Sequence, residues 1–148
     1  METNSRSAGA IRGLNRVVIG GCGRSGVAIA HALSWPGRTI HILDVLPDAL
    51  DHLPEEAVRR GMVVPRLADI TLESDLRETG VQDADVFIAM AGSDAVNIMA
   101  SQIARHILGV RNVVCRLNDP VKRDMYKDLE LTTISPTEIL RDLIIQHL

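Results

Sequence analysis

The sequence predicts an α/β domain, a doubly wound parallel sheet of six strands with helices on both faces. Short apolar segments alternate with amphipathic ones along the chain, which is the pattern of repeated strand–helix units joined by right-handed crossovers. The apolar segments contain almost no polar positions, as expected when helices cover both faces of a sheet. We therefore expect a single Rossmann-like domain over residues 16–148, preceded by a loose polar arm over residues 1–15.

Six strands are predicted from β-branched and apolar runs that are bounded by glycine, proline or polar residues. They are residues 17–20, 39–43, 62–67, 84–90, 112–117 and 131–134. Pro65 lies inside the third run and cannot donate a ladder hydrogen bond, so this strand belongs at a sheet edge or near its own end.

Six helices are predicted in the connections from apolar periodicity and from their start and stop residues. They are residues 25–34, 47–60, 72–79, 94–108, 121–128 and 137–148. Pro54 falls inside the second helix and should bend or interrupt it, because proline removes a helix hydrogen bond and clashes with the preceding turn.

A glycine loop between the first strand and the first helix carries the strongest functional signal. Gly21, Gly23 and Gly26 have the spacing G-x-G-x-x-G, in which the first permits a tight turn, the second lets a pyrophosphate approach bare backbone and the third allows close helix–strand packing. Asp44 ends the second strand, eighteen residues after Gly26, where its carboxylate can accept hydrogen bonds from ribose hydroxyls. The pattern predicts a nucleotide whose phosphates lie at the helix N-terminus.

Composition excludes several classes of function. A formal charge of −3 and a single Trp, Tyr and Phe argue against a nucleic-acid surface. No apolar run reaches the roughly 20 residues of a membrane span and no signal peptide precedes the first strand, so we expect a cytoplasmic protein without direct membrane insertion. Two cysteines without metal-ligand spacing predict neither a disulfide framework nor a metal site. Cys22 is either a redox-sensitive thiol at a helix start or a small residue that fits a crowded turn.

Catalytic residues are not evident in the sequence. The five histidines are scattered, and none pairs with a serine or cysteine in a nucleophile arrangement. The predicted elements leave no segment for a substrate domain of the kind that Rossmann dehydrogenases carry. We expect a non-enzymatic protein, and the alternative is an NAD-dependent oxidoreductase or its detached cofactor-binding domain.

Seven segments of the chain carry a resemblance to a known family: residues 21–26, 42–44, 68–71, 84–89, 93–97, 115–120 and 134–136. In this order they resemble the N-terminal nucleotide-binding domain (TrkA-N) of Trk/Ktr-type RCK proteins, which regulate potassium transport. The resemblance implies a cytosolic domain that binds an adenine nucleotide at the carboxyl ends of the strands and passes the ligand state to a membrane-embedded channel or transporter. It also implies homodimers or rings, and the RCK C-terminal lobe is expected to be absent.

The same resemblance implies a set of cofactor-binding residues. They are Gly21, Cys22, Gly23, Arg24, Ser25, Gly26, Asp44, Val45, Asp69, Ile70, Ala89, Met90, Ala91 and Arg116. Arg24 would meet phosphates in its own subunit or across a dimer. Asp69 would lie near the adenine, although it could equally cap the helix that begins near Thr71.

Three further polar residues of the matching segments have open alternatives. Arg116 could reach terminal phosphates or form a salt bridge with Asp119 or Asp94. Asp94 and Asn97 could cap the helix that they begin, or contact a ligand or a second subunit.

NAD(H) is the favoured cofactor, with AMP, ADP and ATP as alternatives. The Asp44 carboxylate would repel a 2′-phosphate, which disfavours NADP. Departures from the family leave the choice of nucleotide open, because Leu46 stands where a polar residue is frequent. In the family, a Gly-Asp-Ala-Thr segment lies near the adenine. Ala68 and Ile70 replace its glycine and alanine, and their larger side chains narrow the adenine side of the binding site.

The last predicted helix carries a wide apolar stripe with polar residues set against it. The stripe is formed by Ile139, Leu140, Leu143, Ile144 and Leu148. It could pack on the sheet of its own subunit, and in the family that it resembles this helix crosses to another subunit. We expect a homodimer through this helix, because an uncovered apolar stripe favours association.

Overall fold

The computed structural model of the protein describes residues 11–148 and contains one parallel sheet of six strands in the order β3-β2-β1-β4-β5-β6. The strands are β1 (Arg16–Gly20), β2 (Thr39–Asp44), β3 (Val63–Leu67), β4 (Val86–Ala89), β5 (Val113–Arg116) and β6 (Thr132–Ile134). The predicted fold class is confirmed, and every predicted strand is present with its ends within two residues. Pro65 lies in β3 at the edge of the sheet, as its missing N–H group requires.

Seven α-helices connect the strands or follow the last one. They are α1 (Arg24–Leu33), α2 (Pro47–Leu50), α3 (Glu55–Arg59), α4 (Glu73–Glu78), α5 (Asp94–Gln102), α6 (Pro120–Met125) and α7 (Pro136–Gln146). A short 3₁₀ helix (Val81–Asp83) precedes β4.

Two predicted helices differ in the structure. The helix predicted over residues 47–60 consists of α2 and α3, and Pro54 is the N-cap of α3, so the predicted interruption at this proline is confirmed. The helix predicted over residues 94–108 is α-helical only to Gln102 and continues as a π-helical turn (Ile103–Ile107). A π turn inserts an extra residue into the helical ladder, and no feature of the sequence marks this position.

Each face of the sheet has its own apolar core, because alternate residues of a strand point to opposite faces. On one face Val17, Ile19, Ile40 and Ile42 pack with residues of α1 and α3. The other face buries a second cluster, in which Val18, Leu43 and Phe87 pack with residues of α4 and α5. All strand residues of these two sets are fully buried. The two cores fix the carboxyl ends of β1, β2, β4 and β5 at one edge of the domain.

Residues 11–15 are hydrogen-bonded to the rest of the domain. Residues 1–10 of the predicted arm lie outside the described residues. The backbone N–H of Asn15 donates to Asp85 Oδ2 at 2.8 Å. The buried guanidinium of Arg38 donates to the Leu14 carbonyl at 2.6 Å and to the Leu33 carbonyl, at the end of α1, at 2.7 Å. Residues 11–15 therefore differ from the loose character expected for them, because their backbone is hydrogen-bonded to β2, to Asp85 and to the side chain of Arg38.

Candidate functional site

A cavity of about 750 Å³ opens at the carboxyl ends of the strands, where the strand order reverses between β1 and β4. Ligands of open α/β sheets bind at such a reversal, since the connections leave in opposite directions and create a crevice. Of the predicted site residues, those that line the cavity are Gly21, Cys22, Gly23, Arg24, Ser25, Asp44, Val45, Asp69, Ile70, Met90, Ala91 and Arg116. Gly26 and Ala89 do not line it and lie buried beneath its wall.

Further residues of the cavity wall were not among the predicted cofactor-binding residues, and they are mostly apolar or small. They are Leu43, Leu46, Ala49, Ala68, Thr71, Gly92, Ser93 and Val96. Each lies within a few residues of a predicted site residue, so proximity in the chain is the signal that could have found them.

The three glycines of the loop have different surroundings. Gly21 adopts a φ of +115°, and a Cβ there would lie 2.7 Å from the backbone nitrogen of Ala91. A Cβ on Gly26 would overlap the carbonyl oxygen of Gly21. A Cβ on Gly23 would meet no atom within 4 Å. Gly21 and Gly26 therefore close the turn against backbone, whereas Gly23 leaves open space at the N-terminus of α1.

Arg24 places a positive charge at the first residue of α1. The side chain is exposed and lines the cavity, and no acidic residue occupies the first turn of this helix. Among residues 11–148, no carboxylate lies within salt-bridge distance of its guanidinium. A cation at a helix N-terminus is electrostatically unfavourable unless an anion is bound there.

Asp44 connects the end of β2 to the glycine loop. Its Oδ2 accepts a hydrogen bond from the Cys22 backbone N–H at 2.9 Å, and its Oδ1 accepts one from Leu46 at 2.9 Å. These bonds fix the orientation of the carboxylate. Since a carboxylate oxygen can accept more than one hydrogen bond, both oxygens keep acceptor capacity toward the cavity.

Cys22 is a buried residue of the turn. Its thiol donates to the Ala49 carbonyl at 3.2 Å, and only 3% of the residue is exposed. Burial, together with the nearby charge of Asp44, raises the pKa of the Cys22 thiol to about 11. A redox-sensitive thiol requires the opposite shift, so Cys22 fits the alternative of a small side chain in a crowded turn.

Asp69 and Ile70 form the wall beyond the end of β3. Asp69 Oδ1 accepts hydrogen bonds from the Thr71 backbone at 2.9 Å and from the Thr71 hydroxyl at 2.6 Å. These two bonds lower the pKa of the Asp69 carboxyl. The N-cap of α4 is Leu72, so Asp69 stabilises the turn before the helix and does not cap the helix itself. Ile70 is buried and presents an apolar surface beside this carboxylate.

Asn97 joins two walls of the cavity without lining it. Its side chain is fully buried, accepts from the Ala91 N–H at 2.8 Å, and donates to the carbonyls of Ala91 at 2.9 Å and Arg116 at 3.1 Å. The N-cap of α5 is Ser93, whose hydroxyl accepts from Val96. Asn97 therefore neither caps the helix nor lines the cavity, and it ties the loop after β4 to the end of β5.

Arg116 ends β5 and reaches the cavity wall. Its Nε donates to Asn118 Oδ1 at 3.0 Å. Among residues 11–148, no carboxylate lies within salt-bridge distance of Arg116, so the alternative of a salt bridge with Asp119 or Asp94 is wrong. Asp94 instead accepts from the backbone N–H groups of Asn118 at 2.8 Å and Asp119 at 3.1 Å, and Asp119 accepts from Val121. Arg116 is thus the second arginine of the cavity wall.

No helix in the described part of the chain combines the length and the apolar character that crossing a bilayer requires.

A comparison with protein families shows which family the chain belongs to. The model of the TrkA-N domain family matches residues 17–136, which is most of the chain and includes all six strands except Arg16, the first residue of β1. The chain belongs to the TrkA-N domain family. This confirms the resemblance that the seven sequence segments indicate.

Named relatives of this TrkA-N domain include the Trk system potassium uptake protein TrkA of Streptomyces coelicolor, which is 34% identical over 133 residues. The match covers 89% of this chain and 57% of that protein, so the chain spans somewhat more than half the length of this relative.

Solved structures share the fold of this TrkA-N domain. The TrkA-N domain of the inner membrane protein ybaL from Escherichia coli superposes with a TM-score of 0.77 at 14% identity, covering 91% of this chain and 97% of that one. The GsuK channel bound to NAD superposes with a TM-score of 0.71 at 22% identity, covering 88% of this chain and 22% of that one. GsuK bound to ADP gives a TM-score of 0.70 at 22% identity, covering 88% and 32%. At these identities the superpositions show a shared fold.

Proposed function

We propose that this TrkA-N domain binds an adenine nucleotide and regulates potassium, or other monovalent-cation, transport through a membrane-embedded channel or transporter. The observation that carries the proposal is the cavity of about 750 Å³, in which a glycine loop, two arginines and the Asp44 carboxylate face one space. The transport role is supported by relatives named Trk system potassium uptake protein TrkA, of which the chain spans part.

The phosphates lie, in this proposal, against the backbone of residues 21–26. The N–H groups of the first turn of α1 have no partners within the helix, and the helix dipole adds a partial positive charge. Gly23 leaves the space that a phosphate needs. Arg24 approaches from the start of α1 and Arg116 from the end of β5, and a guanidinium binds phosphate through paired N–H groups.

The ribose and the base lie toward β2 and β3. Asp44 accepts hydrogen bonds from the ribose hydroxyls, next to the exposed Val45. The adenine lies between the apolar Ile70 and the Asp69 carboxylate, which can accept a hydrogen bond from the adenine amino group. Met90 and Ala91, resting on the buried Ala89, form the floor.

NAD(H) is the ligand that we favour, and AMP, ADP and ATP are the alternatives. The combination of G-x-G-x-x-G spacing with Asp44 is typical of NAD sites, and it disfavours the 2′-phosphate of NADP. Two arginines at separate walls suit the greater charge of an ADP or ATP phosphate chain. The GsuK structures with NAD and with ADP are consistent with either class.

Regulation without catalysis is the role that we assign to the bound nucleotide. The thiol of Cys22 is buried and its pKa is raised, and the Asp44 and Asp69 carboxylates accept backbone hydrogen bonds that hold the cavity walls. A nucleotide shifts the partner's state only if it binds one arrangement of the assembly more tightly than another. We place this assembly in the cytoplasm, at the inner face of the membrane.

A homodimer, or a ring built from dimers, is the assembly that we propose, with α7 in the interface. The apolar residues of α7 are about half exposed or more, for example Leu140 at 60% and Ile145 at 61%. Covering them stabilises an association by about 25 cal/mol per Å² of apolar surface. Light scattering is expected to give a dimer mass, and Leu140→Glu is expected to shift it toward the monomer. A monomer mass independent of concentration in the unmodified protein contradicts this assembly.

Calorimetric titration with NAD, NADH, ADP and ATP tests the nucleotide site. We expect binding, and we expect Asp44→Ala to weaken all four ligands about 10-fold or more, since hydrogen bonds to charged groups contribute about 1.5–3 kcal/mol. Arg24→Ala should weaken ADP and ATP more than NAD, because their terminal phosphates carry more charge.

The matched control for Asp44→Ala is Asp48→Ala, which removes an exposed carboxylate of α2 outside the cavity wall and should leave all affinities unchanged. Absence of binding by every nucleotide contradicts the proposal. Sustained oxidation of NADH with added carbonyl compounds contradicts the non-catalytic role and supports an oxidoreductase.

A further inference from the structure

Arg116 forms hydrogen bonds through its backbone carbonyl and through its guanidinium, in both cases with residues that do not line the cavity. Its carbonyl accepts from Asn97 Nδ2 at 3.1 Å, and its Nε donates to Asn118 Oδ1 at 3.0 Å. Neither asparagine belongs to the cavity wall, whereas Arg116 does. The backbone and the side chain of this arginine are therefore positioned by two separate residues.

The contact with Asn118 leaves the terminal part of the guanidinium available. It uses Nε, and among residues 11–148 the two Nη atoms of Arg116 have no hydrogen-bond acceptor. The two Nη groups form the planar end of the fork, which can grip two oxygens of one phosphate. Asn118 thus orients the arginine without occupying the atoms that would bind a phosphate.

Asn118 is itself fixed, independently of the arginine. Its backbone N–H donates to Asp94 Oδ1 at 2.8 Å, and the other oxygen of Asp94 accepts from the Asp119 N–H at 3.1 Å. Asp94 is the first residue of α5, so this carboxylate ties the turn after β5 to the helix that follows β4. The backbone that carries the acceptor for Arg116 Nε is therefore held by a contact that does not involve the arginine.

We propose that Asn118 is a positioning residue that presents the Nη groups of Arg116 to a β- or γ-phosphate and raises the preference of the cavity for ADP or ATP over AMP. This inference rests on the proposed nucleotide site. Its physical basis is that a long side chain which is already ordered loses less conformational freedom when a ligand binds. AMP, whose one phosphate lies at the glycine loop, does not use this arginine.

Affinities of ADP and AMP, measured by calorimetry on the whole chain, test the role of Asn118. In Asn118→Leu, which removes the acceptor, the ratio of ADP affinity to AMP affinity should fall about 3- to 10-fold, the cost of ordering one long side chain, with AMP affinity unchanged. Arg116→Gln should lower the same ratio in the unmodified protein and much less in the Asn118→Leu background, because the two residues act through one contact.

Asp119→Ser is the matched control, since it alters the same turn and keeps an N-cap residue for α6 but does not touch Arg116. It should leave the ratio unchanged. If Asn118→Leu does not fold, Asn118→Ser replaces it, because the shorter side chain cannot reach Nε.

An unchanged ratio in the Asn118 variant, or an equal loss of ADP and AMP, overturns the role of Asn118 while the nucleotide site stands. If the unmodified protein binds neither ADP nor AMP, the role of Asn118 is overturned, and the nucleotide site fails as well only if NAD and NADH also do not bind.

Discussion

Gly26→Ala is expected to destabilise the protein more than any other single-methyl change in the glycine loop. The added Cβ would overlap the Gly21 carbonyl oxygen, and both partners of this contact are backbone. Gly21 cannot move away easily, because its N–H donates to the Leu43 carbonyl at 2.8 Å and its α-carbon faces the backbone of Met90 and Ala91. Overpacking against backbone costs about 3 kcal/mol or more, a large share of the 5–15 kcal/mol that stabilises a typical domain.

Urea unfolding followed by circular dichroism measures this effect, and Gly23→Ala is its control in the same loop. A Cβ on Gly23 meets no atom within 4 Å, and its φ of −81° suits alanine. Since alanine is a poorer N-cap than glycine, a loss of up to about 1 kcal/mol is expected for the control. Equal stability of the two variants would mean that the loop is not closed by the packing of Gly26 on Gly21.

Asn97→Leu is expected to produce the second large loss of stability. The substitution keeps the number and branching of the side-chain heavy atoms, replaces the amide by two bulkier methyl groups, and removes three hydrogen bonds, two to Ala91 and one to the Arg116 carbonyl. Each backbone group left without a partner costs about 1–3 kcal/mol where water does not reach it. For three such groups we expect a total loss of about 3 kcal/mol or more, together with weaker nucleotide binding, because Asn97 no longer holds the two cavity walls in place.

The matched comparison is Asn112→Leu, which makes the same chemical change at an exposed residue whose amide donates to the Asp85 carbonyl at 3.2 Å. Water can replace that bond, so thermal unfolding should change little. If both asparagine variants melt at the same temperature, the buried amide of Asn97 does not hold the two walls together.

The sequence was sufficient for the sheet and for the loop that closes the cavity. Both depend on local signals, namely apolar strands of limited length and glycines at positions where a side chain would strike backbone. Asp44 belongs to the same category, because the end of β2 in a doubly wound sheet always lies beside the loop after β1. Pro65 restricted β3 to a sheet edge or placed the proline near the end of the strand, and the structure shows the first of these alternatives.

The sequence did not predict the hydrogen-bond partners of the polar side chains around the cavity. Asn97 bonds to Ala91 and to Arg116, which lie six and nineteen residues away along the chain. Capping and ligand contact are the roles that local pattern offers for an asparagine at the start of a helix. Only the placement of β5 beside β4 makes a third role possible. Arg116 and Asn118 are only two residues apart, but nothing in the local pattern distinguishes Asn118 from Asp119 as the partner of the arginine.

Irregularities inside helices were predicted in one case and missed in another. Pro54 predicted the break between α2 and α3, because a proline disrupts the helical turn in which it lies. The π turn at Ile103–Ile107 has no such residue. Its side chains Arg105 and His106 contact the turn at Glu130 and Leu129, with a distance of 3.0 Å in each case, so tertiary contacts accompany the distortion.

Titration of ADP and NADH into the unmodified protein and into Gly23→Ala is the measurement that tests the nucleotide site most directly. This variant adds one methyl group to open space in the cavity wall and leaves the packing of the loop intact. If phosphates approach the backbone there, both ligands should bind the unmodified protein and lose about 10-fold or more in the variant, a difference of about 1.4 kcal/mol. Equal affinities in the two proteins, or no binding to either, would contradict a phosphate at the glycine loop.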